Sequence, residues 1–236
     1  MIEFTGGFIH TPKDPPAYPQ CEGSLLPVRI EPINKQKKRV HLDDGTVLHL
    51  YNSEIREFGL QEECALEGQA YTELMQKLCK RARARALHLL KNADRPGTEL
   101  AQKLRAGGYP ETAIADAMAY LDYYRYIDDD AYIQRYIAAH AGSKSRQQIL
   151  YALRRKGLDG ALIEQYLEQD ECGEADAALR LLVKYCRSKD ATDSGVRQKA
   201  YGYLMRRGFS MSDIEHAYSR YLEGLETIGE DEQTVQ

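Results

Sequence analysis

The stretch Leu153-Arg154-Arg155-Lys156-Gly157-Leu158 decides the fold, because its pattern occurs three times in the chain. The other copies are Leu104-Arg105-Ala106-Gly107-Gly108-Tyr109 and Leu204-Met205-Arg206-Arg207-Gly208-Phe209. In each copy a glycine stands four positions after a leucine and precedes an apolar residue, and the leucines lie 49 and 51 residues apart. An isoleucine follows ten residues after each leucine, at Ile114, Ile163 and Ile214. The pattern predicts a helix that ends at a C′ glycine, followed closely by a second helix.

A third helix leads each unit, since apolar residues also recur at helical spacing over residues 80–90, 129–140 and 175–187. Capping residues mark the helix starts, namely Thr98, Ser145 with Gln148 as a capping box, Pro110, Asp159 and Ser210. A unit of about 50 residues buries too little surface to be stable alone. We therefore predict a mainly α protein whose three tandem three-helix repeats stack into an elongated, curved solenoid.

The region before the repeats has a β pattern. Strands are predicted over residues 28–30, 39–42 and 47–51, with Pro32 typical of an edge strand, a short helix over 53–58 and helix again from residue 63. Asp44-Gly45 predicts a two-residue hairpin turn. In that register His41 faces Leu48 and His49 faces Val40, so the two histidines point to opposite faces and cannot share a metal ion.

The chain accordingly divides into six predicted segments. A flexible N-terminal tail spans residues 1–24, and a small β-rich domain with a short helix spans 25–75. The three repeats span 76–126, 127–173 and 174–224, and an acidic C-terminal tail spans 225–236.

Composition narrows the class of protein. Of the 236 residues 43% are hydrophobic and 29% are charged, which is ordinary for a folded soluble chain and excludes disordered and collagen-like classes. No signal peptide or apolar run long enough to span a membrane is present. The five cysteines are scattered and form no C-x-x-C pair, so we expect neither disulfides nor zinc, and a cytoplasmic location. A net charge of −4 means that binding to an anion must come from local clusters.

Basic clusters recur in all three repeats and are the most informative functional feature. Taken singly, each cluster is equally well explained as a solvated helix face or as residues that complement a helix dipole. Their recurrence at equivalent places favours one basic stripe. The candidate contact residues are Arg81, Arg83, Arg85, Lys144, Arg146, Arg154, Arg155, Lys156, Arg197, Lys199, Arg206 and Arg207.

Other residues that attract a chemical interpretation have simpler explanations. Asp128-Asp129-Asp130 stands where a helix should begin, and N-capping explains the three carboxylates without catalysis or metal binding. Of the 17 tyrosines, six crowd the junction of the first two repeats, where packing with the hydroxyl in water explains them better than base stacking; they are Tyr120, Tyr123, Tyr124, Tyr126, Tyr132 and Tyr136. The sequence presents no catalytic set, metal site or cofactor motif. We therefore predict that the protein is not an enzyme.

Residues 126–158 carry a family resemblance. Tyr126-Ile127-Asp128-Asp129-Asp130-Ala131-Tyr132, residues 142–149 and the stretch 153–158 together resemble the RecX family of bacterial recombination regulators. Residues 86–104 are similar to the first RecX repeat, and Gly208-Phe209 with Ile214 to the third. The basic hairpin with Phe58-Gly59-Leu60 is similar to an N-terminal extension of some members.

The resemblance implies a partner and an activity. Members bind the RecA filament on single-stranded DNA and limit its ATP hydrolysis and strand exchange, a role in DNA repair, homologous recombination and the SOS response. The resemblance also implies three tandem three-helix repeats. It implies contact with several RecA protomers, while basic side chains approach the DNA phosphates. We expect a monomer, and any direct DNA binding to be weak and salt-sensitive. The alternative is a stand-alone DNA-binding protein with helix-turn-helix-like units, whose Arg-rich turns enter a major groove.

Overall fold

The computed structural model describes residues 17–19, 23–169 and 173–233, and it confirms a mainly α chain with a small N-terminal sheet. Most of the predicted N-terminal tail and residues 234–236 of the predicted acidic tail lie outside the described residues. The strands are β1 Ser24–Leu25, β2 Pro27–Pro32, β3 Lys37–Leu42, β4 Val47–Tyr51 and β5 Leu66–Glu67. The helices are α1 Asn52–Glu57, α2 Gly68–Asn92, α3 Gly97–Ala106, α4 Glu111–Tyr123, α5 Asp129–His140, α6 Arg146–Arg154, α7 Gly160–Glu168, α8 Glu174–Cys186, α9 Ser194–Met205 and α10 Met211–Gln233. Two compact units result, residues 1–128 (unit 1) and 129–236 (unit 2).

In unit 1 a small sheet and the first repeat share one hydrophobic core. Strands β2, β3 and β4 form an antiparallel sheet in that order, so β2 lies at an edge as its proline predicts, and β1 pairs with β5. One face of the sheet buries Val40, Leu48 and Leu50 in the core that also holds Leu74 and Leu78 of α2. The sheet is therefore stabilised by helix packing, as a sheet of this size requires.

The hairpin between β3 and β4 has a different register from the predicted one. Its loop has three residues, closed by a hydrogen bond of 2.9 Å from the Leu42 amide to the Thr46 carbonyl, and it ends on Gly45 at φ 82°. A type I turn followed by a left-handed glycine accounts for the extra residue. Val40 is now opposite Leu48 and His41 is opposite Val47. The prediction that the two histidines point to opposite faces is wrong, since a shift of one residue reverses the side of a strand residue.

The threefold sequence pattern corresponds to a Schellman motif at the end of α3, α6 and α9. In the first copy the Tyr109 amide donates to the Leu104 carbonyl over 3.3 Å and the Gly108 amide donates to the Arg105 carbonyl over 2.9 Å. The same two bonds recur in the other copies, and the three glycines have φ of 73°, 84° and 84°. The predicted C′ glycines are confirmed. The leucine side chain is buried in each copy, and its carbonyl accepts the bond that closes the chain reversal.

Most predicted helix starts are confirmed. Ser145 and Gln148 form the capping box, and Asp159, Pro110 and Ser210 immediately precede α7, α4 and α10. Thr98 is not a cap, because α3 begins at Gly97 and the residue before the helix is Pro96, whose φ of −62° suits that position. The lead helix α2 begins at Gly68 rather than at residue 63, because the chain over Leu66–Glu67 first pairs with β1.

Unit 2 contains two three-helix cores. Helices α5 to α7 enclose Ile133, Ile149 and Ile163, and helices α8 to α10 enclose a second cluster around Leu204. The turn after α9 docks on the start of α6, where the Ser145 hydroxyl donates to the Arg207 carbonyl over 2.5 Å. A Cβ at Gly208 would lie 2.6 Å from Oε1 of Gln147, so only glycine allows this close approach.

Replacing Gly108 with alanine should destabilise unit 1 far more than the same change at Gly45. Both glycines have positive φ, at 73° and 82°, which costs an L-residue about 1–2 kcal/mol. A Cβ at Gly108 would also lie 2.3 Å from Cγ of His49, whereas nothing lies within 4 Å of one at Gly45. We expect the overpacking to cost Gly108→Ala a further 1–3 kcal/mol or so, measured by urea denaturation. Equal losses in the two variants would contradict the close docking of the α3 turn on β4.

Candidate functional site

Two of the predicted contact residues in unit 1 serve the fold. Nε and Nη2 of Arg83 donate to the Asp116 carboxylate over 2.7 and 2.6 Å, and both side chains are nearly buried, with 7% and 6% of their surface exposed. Hydrogen bonding to Asp116 raises the pKa of Arg83 further above its ordinary value. Arg81 bonds the buried carboxylate of Glu54 over 2.6 Å and the His49 carbonyl over 2.9 Å. These two arginines tie α2 to α4 and to the sheet.

Arg85 is the predicted contact residue of unit 1 that remains exposed. The sequence carried a signal for the difference, because Arg83 stands four residues after the buried Cys79 and three before the buried Ala86. That spacing places Arg83 on the apolar stripe of α2, where an arginine requires a buried partner. Arg83 is therefore a buried structural residue and not part of an exposed contact surface.

In the first repeat of unit 2 the predicted cations lie over tyrosine rings. Nζ of Lys156 is 5.6 Å from the centroid of the Tyr132 ring, and Nζ of Lys144 is 5.2 Å from that of Tyr136. Arg155 lies 5.9 Å from the Tyr151 ring, which is 66% exposed. A cation within about 6 Å of a ring centroid is attracted by the ring quadrupole, so the tyrosines hold these cations at the surface.

The rings themselves form a stack along α5. Tyr132 and Tyr136 are stacked with centroids 6.3 Å apart, and Tyr136 stacks on His140 at 4.1 Å with an interplanar angle of 15°. Nδ1 of His140 donates to the Tyr136 carbonyl over 2.8 Å, which fixes the imidazole orientation. The three residues are four positions apart on one helix, and this spacing places them on one face. Both tyrosines also pack against the core of the repeat.

The second repeat of unit 2 continues the arrangement. The Arg207 guanidinium lies 3.9 Å from the centroid of Tyr203, Tyr203 is 4.8 Å from Tyr185, and Nζ of Lys189 lies 3.4 Å from the centroid of Tyr185. The bond from the Ser145 hydroxyl to the Arg207 carbonyl places the turn that contains Arg207 against the start of α6, one residue after Lys144. We call these cation–ring groups together the cation–aromatic strip; its members are Lys156, Tyr132, Tyr136, His140, Lys144, Arg155, Tyr151, Arg207, Tyr203, Tyr185 and Lys189.

The remaining predicted contact residues lie outside the strip. Arg154 pairs with Glu164 over 2.9 Å at the surface, and Arg197 lies over the rings of Tyr201 and Tyr218 at 5.4 and 5.2 Å. Lys199 and Arg206 are exposed, and Arg146 is half-buried with its amide bonded to Glu174 over 2.7 Å. Opposite charge at Glu164 partly neutralises Arg154, so the available charge in the turn after α6 is that of Arg155 and Lys156.

Sequence reasoning missed two features of the strip. One is Lys189, which stands four residues after Tyr185 and just beyond the end of α8. The other is the double role of the tyrosines, which pack on one edge while a cation covers the ring. A search for Tyr and Lys or Arg four residues apart finds Tyr185 with Lys189 and Tyr203 with Arg207, but not Lys156 over Tyr132, which depends on the tertiary fold.

The acidic triplet has a structural contact in the part of the chain that the structure describes. Asp129 and Asp130 occupy the first turn of α5, where carboxylates complement the helix dipole. The Tyr166 hydroxyl donates to Oδ1 of Asp130 over 2.7 Å and so links α5 to α7. Over residues 17–19, 23–169 and 173–233, no group of three or more His, Cys, Asp or Glu side chains is placed to hold a metal ion. None of the described helices is long and apolar enough to cross a membrane.

Three family models match the repeats in order. They are the first, second and third three-helix domains of RecX, at residues 82–121, 128–167 and 173–218. These matches correspond to α2–α4, α5–α7 and α8–α10, so the predicted three three-helix repeats are confirmed.

Named relatives and solved structures agree with these matches. Regulatory protein RecX of Clostridium perfringens strain 13 is 25% identical over 195 residues, which cover 79% of this chain and 91% of that protein. Regulatory protein RecX of Mycobacterium sp. strain KMS is 32% identical over 142 residues, 56% of this chain and 77% of the relative. A crystal structure of regulatory protein RecX superposes with a TM-score of 0.54 at 24% identity, covering 81% of this chain and 97% of the other. RecX from Lactobacillus salivarius gives 0.55 at 21% identity, covering 61% and 97%. The chain therefore belongs to the RecX family of regulatory proteins.

Proposed function

We propose that this protein binds the RecA filament on single-stranded DNA and inhibits RecA ATP hydrolysis, recombination and strand exchange. It acts in DNA repair and the SOS response, in the cytoplasm, without enzymatic activity of its own. Membership of a family of regulatory proteins supports this proposal. The observation that carries it is the cation–aromatic strip, which crosses both repeats of unit 2.

The strip suits a partner that presents negative charge along a line. Its cations are spaced over two repeats, and the ring beneath each cation limits the conformations it loses on binding. Phosphates of a strand in a filament, or carboxylates of the protein that coats it, fit such a surface. Contacts over two repeats add by multivalency, so each of them can be weak.

The strip gives less support to the stand-alone DNA-binding alternative. A helix that reads a major groove presents its recognition residues from its own exposed face. Here the cations are in turns and lie over tyrosine rings, as with Lys156 over Tyr132 of α5 and Arg207 over Tyr203 of the preceding α9. Such an arrangement is better suited to binding a line of negative charge than to recognising base edges in a groove.

The test is the ATPase rate of the cognate RecA on single-stranded DNA as the protein is titrated in. We expect the rate to fall at well below one molecule per RecA protomer at near-physiological salt, because one bound molecule affects several protomers. A parallel salt titration separates the alternatives. Binding to naked duplex through about six phosphates should weaken about a thousandfold between roughly 50 and 200 mM salt, whereas filament binding should weaken less. An unchanged ATPase rate with the folded protein would contradict the proposal.

A further inference from the structure

The register of the N-terminal hairpin creates a second basic surface, in unit 1. Residues opposite each other in antiparallel strands share a face, so Lys37, Arg39 and His41 of β3 lie on the side away from the core. The paired residues of the neighbouring strands lie on the same side. We call this surface the outer sheet face; its members are Arg29, Glu31, Lys37, Arg39, His41, Val47, His49 and Tyr51. On β4 this face is partly covered, at His49 by the α3 turn and at Tyr51 by Arg81.

Positive charge exceeds negative charge on the outer sheet face. Its one carboxylate, Glu31, bonds Arg29 at 2.9 Å, Arg39 at 3.1 Å and His41 at 3.2 Å, and so holds several cationic groups in one row. Arg29 and Arg39 nevertheless keep 69% and 44% of their side chains exposed. Lys37 has no carboxylate opposite it in the sheet, since its paired residue is Tyr51.

The pKa values of Glu31 and His49 reflect the positive charge of this face. The hydrogen bond from His41 is the largest cause that keeps the pKa of Glu31 below its ordinary value, so this carboxylate stays ionised at neutral pH. Burial lowers the pKa of His49, and the charges of Arg39, Lys37 and Arg81 lower it further. Three cations therefore act on one point of the sheet, and an anion placed there is stabilised.

Aromatic groups lie between these cations. The Tyr51 ring has Nζ of Lys37 at 4.5 Å and the Arg81 guanidinium at 4.8 Å from its centroid. Along β3 the cationic residues recur every second position, about 6.8 Å apart on one face of the strand. The Tyr51 ring beside them is half-buried. Single nucleic-acid strands present phosphates and bases, which meet a row of cations and an aromatic ring respectively.

We propose that the outer sheet face binds a single strand of nucleic acid, with phosphates at Arg29, Lys37 and Arg39. This site lies in unit 1 and acts on naked DNA, so it does not depend on filament binding by the strip of unit 2. An acidic protein surface is the other partner that such charge could attract. The regular spacing of the cations and the Tyr51 ring favour the nucleic acid, and the experiment distinguishes the two.

The test compares full-length Lys37→Gln/Arg39→Gln with a control of equal charge, Lys80→Gln/Lys103→Gln, whose lysines are exposed on α2 and α3. Fluorescence anisotropy of a labelled oligothymidylate gives the affinity and its salt dependence without RecA. Each phosphate contact to a single strand contributes about 0.7 to the slope of log K against log salt. We expect the sheet variant to lose about 1.4 of slope and at least about tenfold in affinity at roughly 0.1 M salt, with the control near wild type. Arg29→Gln, at an exposed side chain, should lose about half as much slope.

Three results would overturn the proposal. Equal losses in both double variants would show an effect of net charge alone. Unchanged DNA binding with weaker binding to RecA would assign the face to an acidic protein surface. Unchanged DNA binding in all variants, each folded by circular dichroism, would leave the face without this ligand. Failure of the filament proposal would appear instead in the RecA ATPase titration with wild-type protein, so the two failures are distinguishable.

Discussion

Replacing Arg83 with methionine should lower the free energy of unfolding by about 3–5 kcal/mol, because it leaves the Asp116 carboxylate buried without its partner. Both nitrogens of the bidentate contact disappear, and Asp116 is only 6% exposed. The guanidinium also lies 4.3 Å from the Tyr18 ring and 4.8 Å from the Tyr120 ring, contacts that methionine replaces only in part. Urea denaturation followed by circular dichroism would measure the loss.

Two companion variants separate a buried charge from ordinary packing. Arg83→Met/Asp116→Leu removes both charges, and the pair replaced by apolar groups should recover most of the lost stability. Arg85→Met changes the same residue type two positions away, where the side chain is exposed, and should stay within about 0.5 kcal/mol of wild type. A loss of stability in the double variant as large as in Arg83→Met would contradict the assignment of Arg83 to the interior.

The repeat architecture could be predicted from sequence because its signal is local. A Schellman motif requires a leucine, a glycine and an apolar residue at fixed offsets within six residues, and Leu104, Gly108 and Tyr109 satisfy it by themselves. The capping box at Ser145 is local in the same way. Three copies at nearly equal spacing then fix the number of helices.

The errors arose where several local solutions compete. Asp44-Gly45 fits a two-residue turn, and it also fits the last two residues of the observed three-residue loop, in which Gly45 is left-handed. Only the packing of Val40 and Leu48 into one core selects the register. At the start of α3 both Pro96 and Thr98 are acceptable near a helix N-terminus, and the chain begins the helix at Gly97.

The candidate site was only partly predictable, because charge in a sequence does not reveal its partner. Arg83 and Arg155 look alike in a basic cluster, yet Arg83 meets Asp116, which is 33 residues away in sequence, whereas Arg155 is exposed. The link between the start of α6 and the turn after α9 is longer still, since Ser145 and Arg207 are 62 residues apart. Contacts of this kind depend on the tertiary fold. Cation–aromatic pairs within one helix, such as Arg197 and Tyr201 of α9, were accessible from spacing.

Reversing charge on the strip should abolish most of the regulatory effect while the chain stays folded. The variant is Arg155→Glu/Lys156→Glu/Arg207→Glu, which leaves out Arg154 because its pairing with Glu164 stabilises the α6–α7 turn. Each exposed contact to an anion contributes up to about 1 kcal/mol. Three lost contacts should therefore raise the concentration needed to halve RecA ATPase by between about tenfold and a hundredfold.

The matched control is Arg135→Glu/Lys184→Glu/Arg187→Glu, which changes three exposed cations of unit 2 outside the strip by the same total charge. If the field of the whole molecule determined binding, both variants would lose inhibition equally, and loss in the strip variant alone places the contact on the strip. Raising the salt concentration separates the contribution of the rings from that of the ionic pairs. Salt screens the ionic pairs, whereas the close contacts of Lys156 with Tyr132 and of Arg207 with Tyr203 persist. Inhibition by a folded strip variant at the wild-type concentration would remove the strip from the mechanism. The contact would then be sought among the predicted residues that are exposed elsewhere, namely Arg85, Arg154, Arg197, Lys199 and Arg206.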